Sequence, residues 1–176
     1  MPSNIEIKAR VASLEELTKR VRQVSDAPST RLNQDDTFFH CPHGRLKLRD
    51  FGDGRGELIA YERADRAGPK ASHYRISETA DPTGLRATLS DALGVLGRVR
   101  KHRQVIMVGR TRVHLDKVDG LGEFMELEVV LEPDEPAEAG QREAEELMAA
   151  LGIGADELIE GAYLDLILAR TDARTD

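Results

Sequence analysis

The chain has 176 residues, a net charge of −7 and a single cysteine; that length suits one domain with its own core, and Cys41 alone excludes an intrachain disulfide and points to a reducing compartment. No apolar run of 18 residues occurs, which excludes a membrane-spanning helix, and the charged opening shows no signal-peptide pattern, so a cytoplasmic protein is expected. Residues 134–176 carry 12 acids and 3 bases against 20 acids and 22 bases in residues 1–133, a balance that argues against nucleic-acid binding but leaves room for a small polyanion in the first 133 residues.

The first predicted element is a strand from Asn4 to Val11, with Ile5, Ile7 and Ala9 on one face and Glu6, Lys8 and Arg10 on the other. Ser13-Leu14-Glu15-Glu16 reads as a capping box that opens a helix to about Val24. A loop is expected around Pro28, then a short strand from Asp35 to Phe39 and another from Arg45 to Arg49, which sets three cations opposite two leucines. Asp35 and Asp36 read as a capping or turn pair. Strands follow at Glu57 to Arg63 and His73 to Ser77, separated by a turn at Gly68-Pro69. Asp81-Pro82 begins a helix to Leu93 whose apolar stripe is Leu85, Leu89 and Leu93.

Arg98 to Val108 and Thr111 to Val118 read as a hairpin across Gly109-Arg110; Lys101 and Arg103 share one face, as do Arg112, His114 and Asp116. Phe124 to Leu131 alternates again. Met125, Leu127, Val129 and Leu131 form an apolar row, and Glu126 and Glu128 stand side by side on the other. A helix over residues 137–151 and a short helical turn at 156–161 follow, and Tyr163 to Ala169 closes the chain. Residues 1–170 are read as one domain and residues 171–176 as a flexible tail. The acidic C-terminal part is expected to be a solvated helical surface.

Strand after strand thus carries charge at every second residue. A sheet with one wet face would explain any single strand. The full set, dominated by Arg and Lys, would repel itself if left open, and with seven or eight antiparallel strands closure into a barrel with its charged face inward is coherent. The expected fold class is therefore α+β: a closed antiparallel β-barrel with a charged lumen, apolar rows outward and helices packed over them. Many Arg and Lys suit a compact polyanion with several phosphate oxygens. A few carboxylates suit a hard divalent cation, Mg²⁺ or Mn²⁺, rather than zinc. His40, Cys41 and His43 fall short of a four-ligand zinc site.

This ordered set resembles the CYTH superfamily, the triphosphate tunnel metalloenzymes, across nearly the whole chain. The resemblance rests on Asn4-Ile5-Glu6-Ile7-Lys8, where the family has Glu-x-Glu-x-Lys, and on Arg45-Leu46-Lys47-Leu48-Arg49, Tyr61-Glu62-Arg63, Lys101-His102-Arg103, Arg112-Val113-His114-Leu115-Asp116 and Glu126-Leu127-Glu128. Gln34 to Phe39, Gly68-Pro69-Lys70 and Gly161 to Leu166 look closest to the class IV adenylyl cyclase branch. The resemblance implies a triphosphate tunnel with metal at Glu6, Asp116, Glu126 and Glu128. It implies that Lys8, Arg45, Lys47, Arg49, Arg63, Arg75, Lys101, Arg103 and Arg112 grip the triphosphate, with Lys8, Arg63 and Asp116 the catalytic positions. Asn4 replaces a family Glu, so one metal position is expected to be weak. The expected activity is an adenylyl cyclase converting ATP to cyclic AMP and pyrophosphate. The alternatives are a phosphohydrolase of organic or inorganic triphosphate and a non-catalytic triphosphate-binding module. The partner is a nucleoside triphosphate or other triphosphate, with neither nucleic acid nor membrane; homodimerisation stays open.

Overall fold

The computed structural model describes residues 3–63 and 70–174, and side chains for the same residues except 63 and 70–72. The strands are β1 (Ser3–Arg10), β2 (Ser29–Phe39), β3 (Arg45–Asp50), β4 (Gly56–Arg63), β5 (Lys70–Thr79), β6 (Val95–Val108), β7 (Thr111–Val118) and β8 (Gly122–Val130). The helices are α1 (Leu14–Val24), α2 (Pro82–Leu93), α3 (Ala137–Ala150) and α4 (Tyr163–Ala173). The strands close into an antiparallel barrel in the order β1-β5-β4-β3-β2-β6-β7-β8. The seam is β1, which pairs with β5 from Ser3 opposite His73 to Glu6 opposite Lys70, and with β8 from Asn4 opposite Val130 to Arg10 opposite Phe124.

Residues directly opposite one another on paired strands project to the same face. Lys8 therefore shares the inside with Glu126, and Glu6 with Glu128. The alternate row, Ile5, Ile7 and Ala9 with Val113, Leu115, Met125, Leu127 and Val129, is buried on the outside. It is covered by Leu17 and Val21 of α1 and by Ala144 and Leu147 of α3. Half of the expected capping box forms: the Ser13 side chain accepts a hydrogen bond from the Glu16 backbone N–H, whereas the Glu16 carboxylate accepts from Lys19 instead. Gly140 is where α3 lies closest to the sheet; a Cβ there would fall 2.6 Å from a Leu131 methyl and 2.9 Å from Ile5.

One end of the barrel is stoppered. Phe38, Val99, Val118, Leu121 and Phe124 pack with Tyr163 and Leu164 of α4, and the Phe124 and Tyr163 rings meet edge to face at 5.0 Å. Asp165 fastens α4 there by accepting from the Ala162 backbone N–H at 2.7 Å and pairing with Arg45 at 2.7 Å.

Several boundaries differ from the sequence reading. The expected loop after Pro28 is the first half of β2, because pairing with the long β6, Ser29 opposite Ile106 onward, holds a polar stretch in extended form. The α2 leucines are not a core stripe. Leu93 is 39% exposed, because α2 is held at the polar end of β2 and β3 by Arg86, which donates to Thr37 and Asp50. Residues 171–173, expected in a tail, continue α4. The acidic C-terminal part is not wholly solvated: Glu135 and Glu143 both accept from Arg110 in the β6–β7 turn, where Gly109 has φ 57°. The Gly68-Pro69 turn lies outside the described residues. Among those described, no helix is long and apolar enough to cross a membrane.

Leu127 is fully buried under the helices whereas Arg75 is exposed on the outside. Leu127→Ala should cost about 2–5 kcal/mol through lost burial and a cavity. Arg75→Ala should stay within about 0.5 kcal/mol. Urea denaturation of the two variants measures the contrast.

Candidate functional site

The lumen forms a cavity of about 160 Å³ whose wall is divided by residue type. The arc of β3, β2 and β6 supplies Lys47, Arg49, Lys101 and Arg103 around Asp36; the seam of β1 and β8 supplies Asn4, Glu6, Lys8, Glu126 and Glu128; β4 and β5 supply Ile59, Tyr61, Tyr74 and Ile76. The end opposite the stopper is open: Ile76 is 45% exposed although it lines the cavity.

Asp36 holds the cationic arc together. Its carboxylate is 1% exposed and accepts two bonds of 2.8 Å from Arg49, with Lys47 Nζ at 3.1 Å and Lys101 Nζ at 3.3 Å. Burial pushes its pKa up, but Arg49, Lys101 and Lys47 together outweigh burial and hold it well below the carboxylate range. The lysines shift the other way. Burial lowers Lys101 to about 7 against the opposing pull of Asp36, and burial followed by the Arg49 charge lowers Lys47 to about 8.

A second anchor lies beside the first. Arg103 donates twice to Asp116, at 2.7 Å each, and the Tyr163 hydroxyl donates to the same carboxylate at 2.7 Å. Asp116 is fully buried and does not line the cavity. Burial and then Asp116 raise the Tyr163 pKa far above its usual value, so it stays a protonated donor. Lys8 Nζ sits 4.1 Å over the Tyr163 ring and 3.6 Å from Glu126.

Glu128 completes the seam. It accepts from Asn4 Nδ2 at 2.8 Å and Arg112 at 3.0 Å, with His114 Nε2 at 3.4 Å. Burial, then the Arg103 charge, lowers His114 to about 3, which makes it a neutral imidazole at ordinary pH.

The structure brings Glu6, Lys8, Lys47, Arg49, Lys101, Arg103, Glu126 and Glu128 together around one cavity. Arg112 stands at the seam, half exposed against Glu128. Three expected positions fall elsewhere. Arg75 is exposed because it lies opposite Ala60 on the outward register, while Tyr74 and Ile76 take the inward one. Arg45 is at the stoppered end, engaged by Asp165. Asp116 is fully buried outside the cavity lining, with its oxygens accepting from Arg103 and Tyr163. The side chain of Arg63 lies outside the described residues. Sequence reasoning missed Asp36, whose signal was its alternation with Phe38, and Tyr163, which only the return of α4 carries to the barrel.

Among the described residues no three His, Cys, Asp or Glu side chains gather as a metal cluster. One atom nonetheless fits a cation: Asn4 Oδ1 is buried without a hydrogen-bond partner while its Nδ2 is fixed on Glu128. That amide oxygen with the carboxylates of Glu6 and Glu128 is an all-oxygen donor set, which suits a hard divalent ion such as Mg²⁺ or Mn²⁺.

The profile of the CYTH domain family matches residues 3–163. The fold is similar to that of protein PH1012 from Pyrococcus horikoshii OT3, with TM-score 0.81 and 22% identity over 93% of this chain and 98% of that one. It is also similar to a candidate adenylate cyclase from Vibrio parahaemolyticus, with TM-score 0.76 and 17% identity over 93% and 97% of the two chains. A third likeness is to the Hippeastrum adenylyl cyclase candidate HpAC1, described by a dominant triphosphatase activity, with TM-score 0.62 and 19% identity over 87% and 89%. No curated protein matches the sequence.

Two outcomes follow from the lumen's charges. Asp116→Ala leaves Arg103 buried without its partner and should cost about 3–5 kcal/mol in denaturant unfolding. The lowered pKa values of Lys101 and Lys47 mean that the empty lumen is short of protons above pH 7. A bound polyanion restores the cationic forms, so these lysines should take up protons on binding at pH 8 and far fewer at pH 6, where they are mostly charged, once the ligand's own ionisation is subtracted. Calorimetric titration of inorganic tripolyphosphate in buffers of different ionisation enthalpy measures this directly.

Proposed function

The chain belongs to the CYTH domain family, and on that premise we propose that it is a metal-dependent enzyme acting on a nucleoside triphosphate, an adenylyl cyclase that closes ATP to cyclic AMP and pyrophosphate. The observation that carries this reading is the order of groups from the open end inward. Asn4, Glu6 and Glu128 lie toward the open end of the seam, and Tyr74 and Ile76 form the apolar wall there. Lys8, Lys101 and Lys47 lie deeper, toward the stopper of Phe38, Val99 and Tyr163. A triphosphate entering at the open end would set its terminal phosphates among the deep cations. Its α-phosphate would then lie level with the carboxylates and its ribose and base against the apolar wall.

In the cyclisation the ribose 3′-oxygen forms a bond to the α-phosphorus, the bond from that phosphorus to the bridging oxygen breaks, and pyrophosphate leaves with the pair. The proton of the 3′-hydroxyl passes to solvent or to a seam carboxylate. Lys47, Arg49, Lys101 and Arg103 hold the β- and γ-phosphates and offset the charge that builds on the leaving group. Asp116 and Tyr163 keep Arg103 aimed, which pre-pays its ordering before substrate arrives. Tyr74 and Ile76 desolvate the organic portion. Asn4, Glu6 and Glu128 would hold a divalent ion, which when bound supplies Lewis-acid charge neutralisation at phosphate oxygens. Glu126, beside Lys8 and Arg103, supports both.

A second reading, hydrolysis of the terminal phosphate by water, is favoured by the likeness to HpAC1; the same cations would bind the substrate and only the nucleophile would differ. Incubation of the protein with ATP and Mn²⁺ and chromatography of the products separates them. Cyclic AMP with pyrophosphate is the expected result, orthophosphate would establish the second reading, and unchanged ATP would overturn both. Glu126→Gln/Glu128→Gln should abolish turnover with the fold intact by circular dichroism. Asn4→Glu adds charge where an amide now stands and should lower the metal concentration that gives half-maximal turnover; an equal midpoint in both forms would mean that residue 4 does not meet the metal.

A further inference from the structure

The barrel carries a second basic concavity, on its outside. A groove of about 480 Å³ runs between the outward face of β6, the β7–β8 turn and α4, and its walls present Arg98, Arg100, Arg170 and Arg174 over a floor of Leu121 and Ile167. The placing of these arginines goes against the charge of their surroundings. Residues 134–176 hold only 3 bases among 12 acids, yet two of the three, Arg170 and Arg174, face this groove. The opposing acids are few: Asp119 on the rim, and Asp35, which takes two bonds of 2.6 Å from Arg98 and lies 3.5 Å from Arg100. Arg170 donates to the Gly120 carbonyl, and Arg174 makes no ion pair among the described residues.

We propose that this groove binds a compact polyphosphate, as a site separate from the lumen. All four bases are arginines, whose planar fork matches two phosphate oxygens at once; Arg98 spends its fork on Asp35, which leaves Arg100, Arg170 and Arg174 to meet the ligand. A single exposed ion pair contributes little, so one phosphate would bind weakly; several phosphates on one ligand can meet several guanidiniums together. The apolar floor, Leu121 and Ile167, packs in the same cluster as Tyr163 and Phe124 at the lumen's stoppered end. A ligand in the groove therefore rests on the outer side of the stopper whose inner side steadies Lys8 and Arg103. The chemistry fits the triphosphate or the pyrophosphate of the proposed reaction, which would then be sensed outside as well as bound inside.

The test uses Arg100→Glu/Arg174→Glu, because both residues are exposed and neither supports a buried contact. Inorganic tripolyphosphate is titrated calorimetrically into the full chain and the variant at 50 mM salt, with thermal melting to verify that both are folded. Two molecules bound per wild-type chain and one per variant chain is the expected result. If the lumen reading were wrong and the groove reading right, the stoichiometries would be one and none. Equal stoichiometry in the two proteins overturns the groove site, including the case in which the variant alters only self-association on size exclusion. Should the glutamates unfold the chain, Arg100→Gln/Arg174→Gln is the substitute and should weaken groove binding at least 10-fold. Replacing tripolyphosphate by sulfate at matched ionic strength should abolish the second site, since sulfate cannot span the arginines.

Discussion

Like charge buried in a closed space must be compensated, and the interior of this barrel is arranged around that constraint. Lys47, Arg49 and Lys101 converge on one carboxylate, Asp36, and Arg103 rests on another, Asp116. Either carboxylate alone would be expensive to bury, and so would the cations; together they satisfy one another's hydrogen bonds. The compensation is incomplete, which is why burial still lowers Lys101 to about 7.

The apolar architecture makes this interior possible. Outward rows from β1, β7 and β8 bury themselves under α1 and α3, so the core lies outside the barrel and the polar face is free to be the inside. A sheet of this kind normally turns its charged face to water. Here closure through β1, paired on both edges, removes that option. The stopper at one end, built from Phe38, Val99, Phe124 and Tyr163, makes the lumen a pocket with one open end, and so gives any bound chain of phosphates a direction.

Function in this fold follows from which strand supplies which part of the wall. The cationic arc and the carboxylate seam meet on one side of the ring, where Arg103 lies 3.7 Å from Glu126, and the apolar wall of β4 and β5 lies between them on the other. Charge of each sign is thus available to a different portion of one ligand. Tyr163 links these parts from a distance in sequence: its hydroxyl steadies Asp116 and hence Arg103, and its ring lies under Lys8.

The strand periodicity was legible from residues alone. Side chains that alternate with period two identify Lys8, Lys101, Arg103, Glu126 and Glu128 as one kind of face, and the like-charge argument turns that face inward. The capping residues Ser13 and Asp81 located two helices for the same local reason. What sequence could not decide is which of two alternating rows is inside when both are mixed. Arg75, expected at the triphosphate, faces outward because the register against β4, with Ala60 opposite Arg75, is a tertiary fact. Nor did it assign Asp36 to the lumen: the strand from Asp35 to Phe39 was legible, but that Asp36 rather than Asp35 meets the buried cations follows from register, which sets Asp36 opposite Arg49 and Val99. Asp116 looked like one more carboxylate for a metal; only the meeting of β6, β7 and α4 brings Arg103 and Tyr163 onto its two oxygens. Local alternation determined the faces of the strands, and closure, register and the return of the last helix determined which groups meet, because contacts between distant segments are set by packing and not by spacing along the chain.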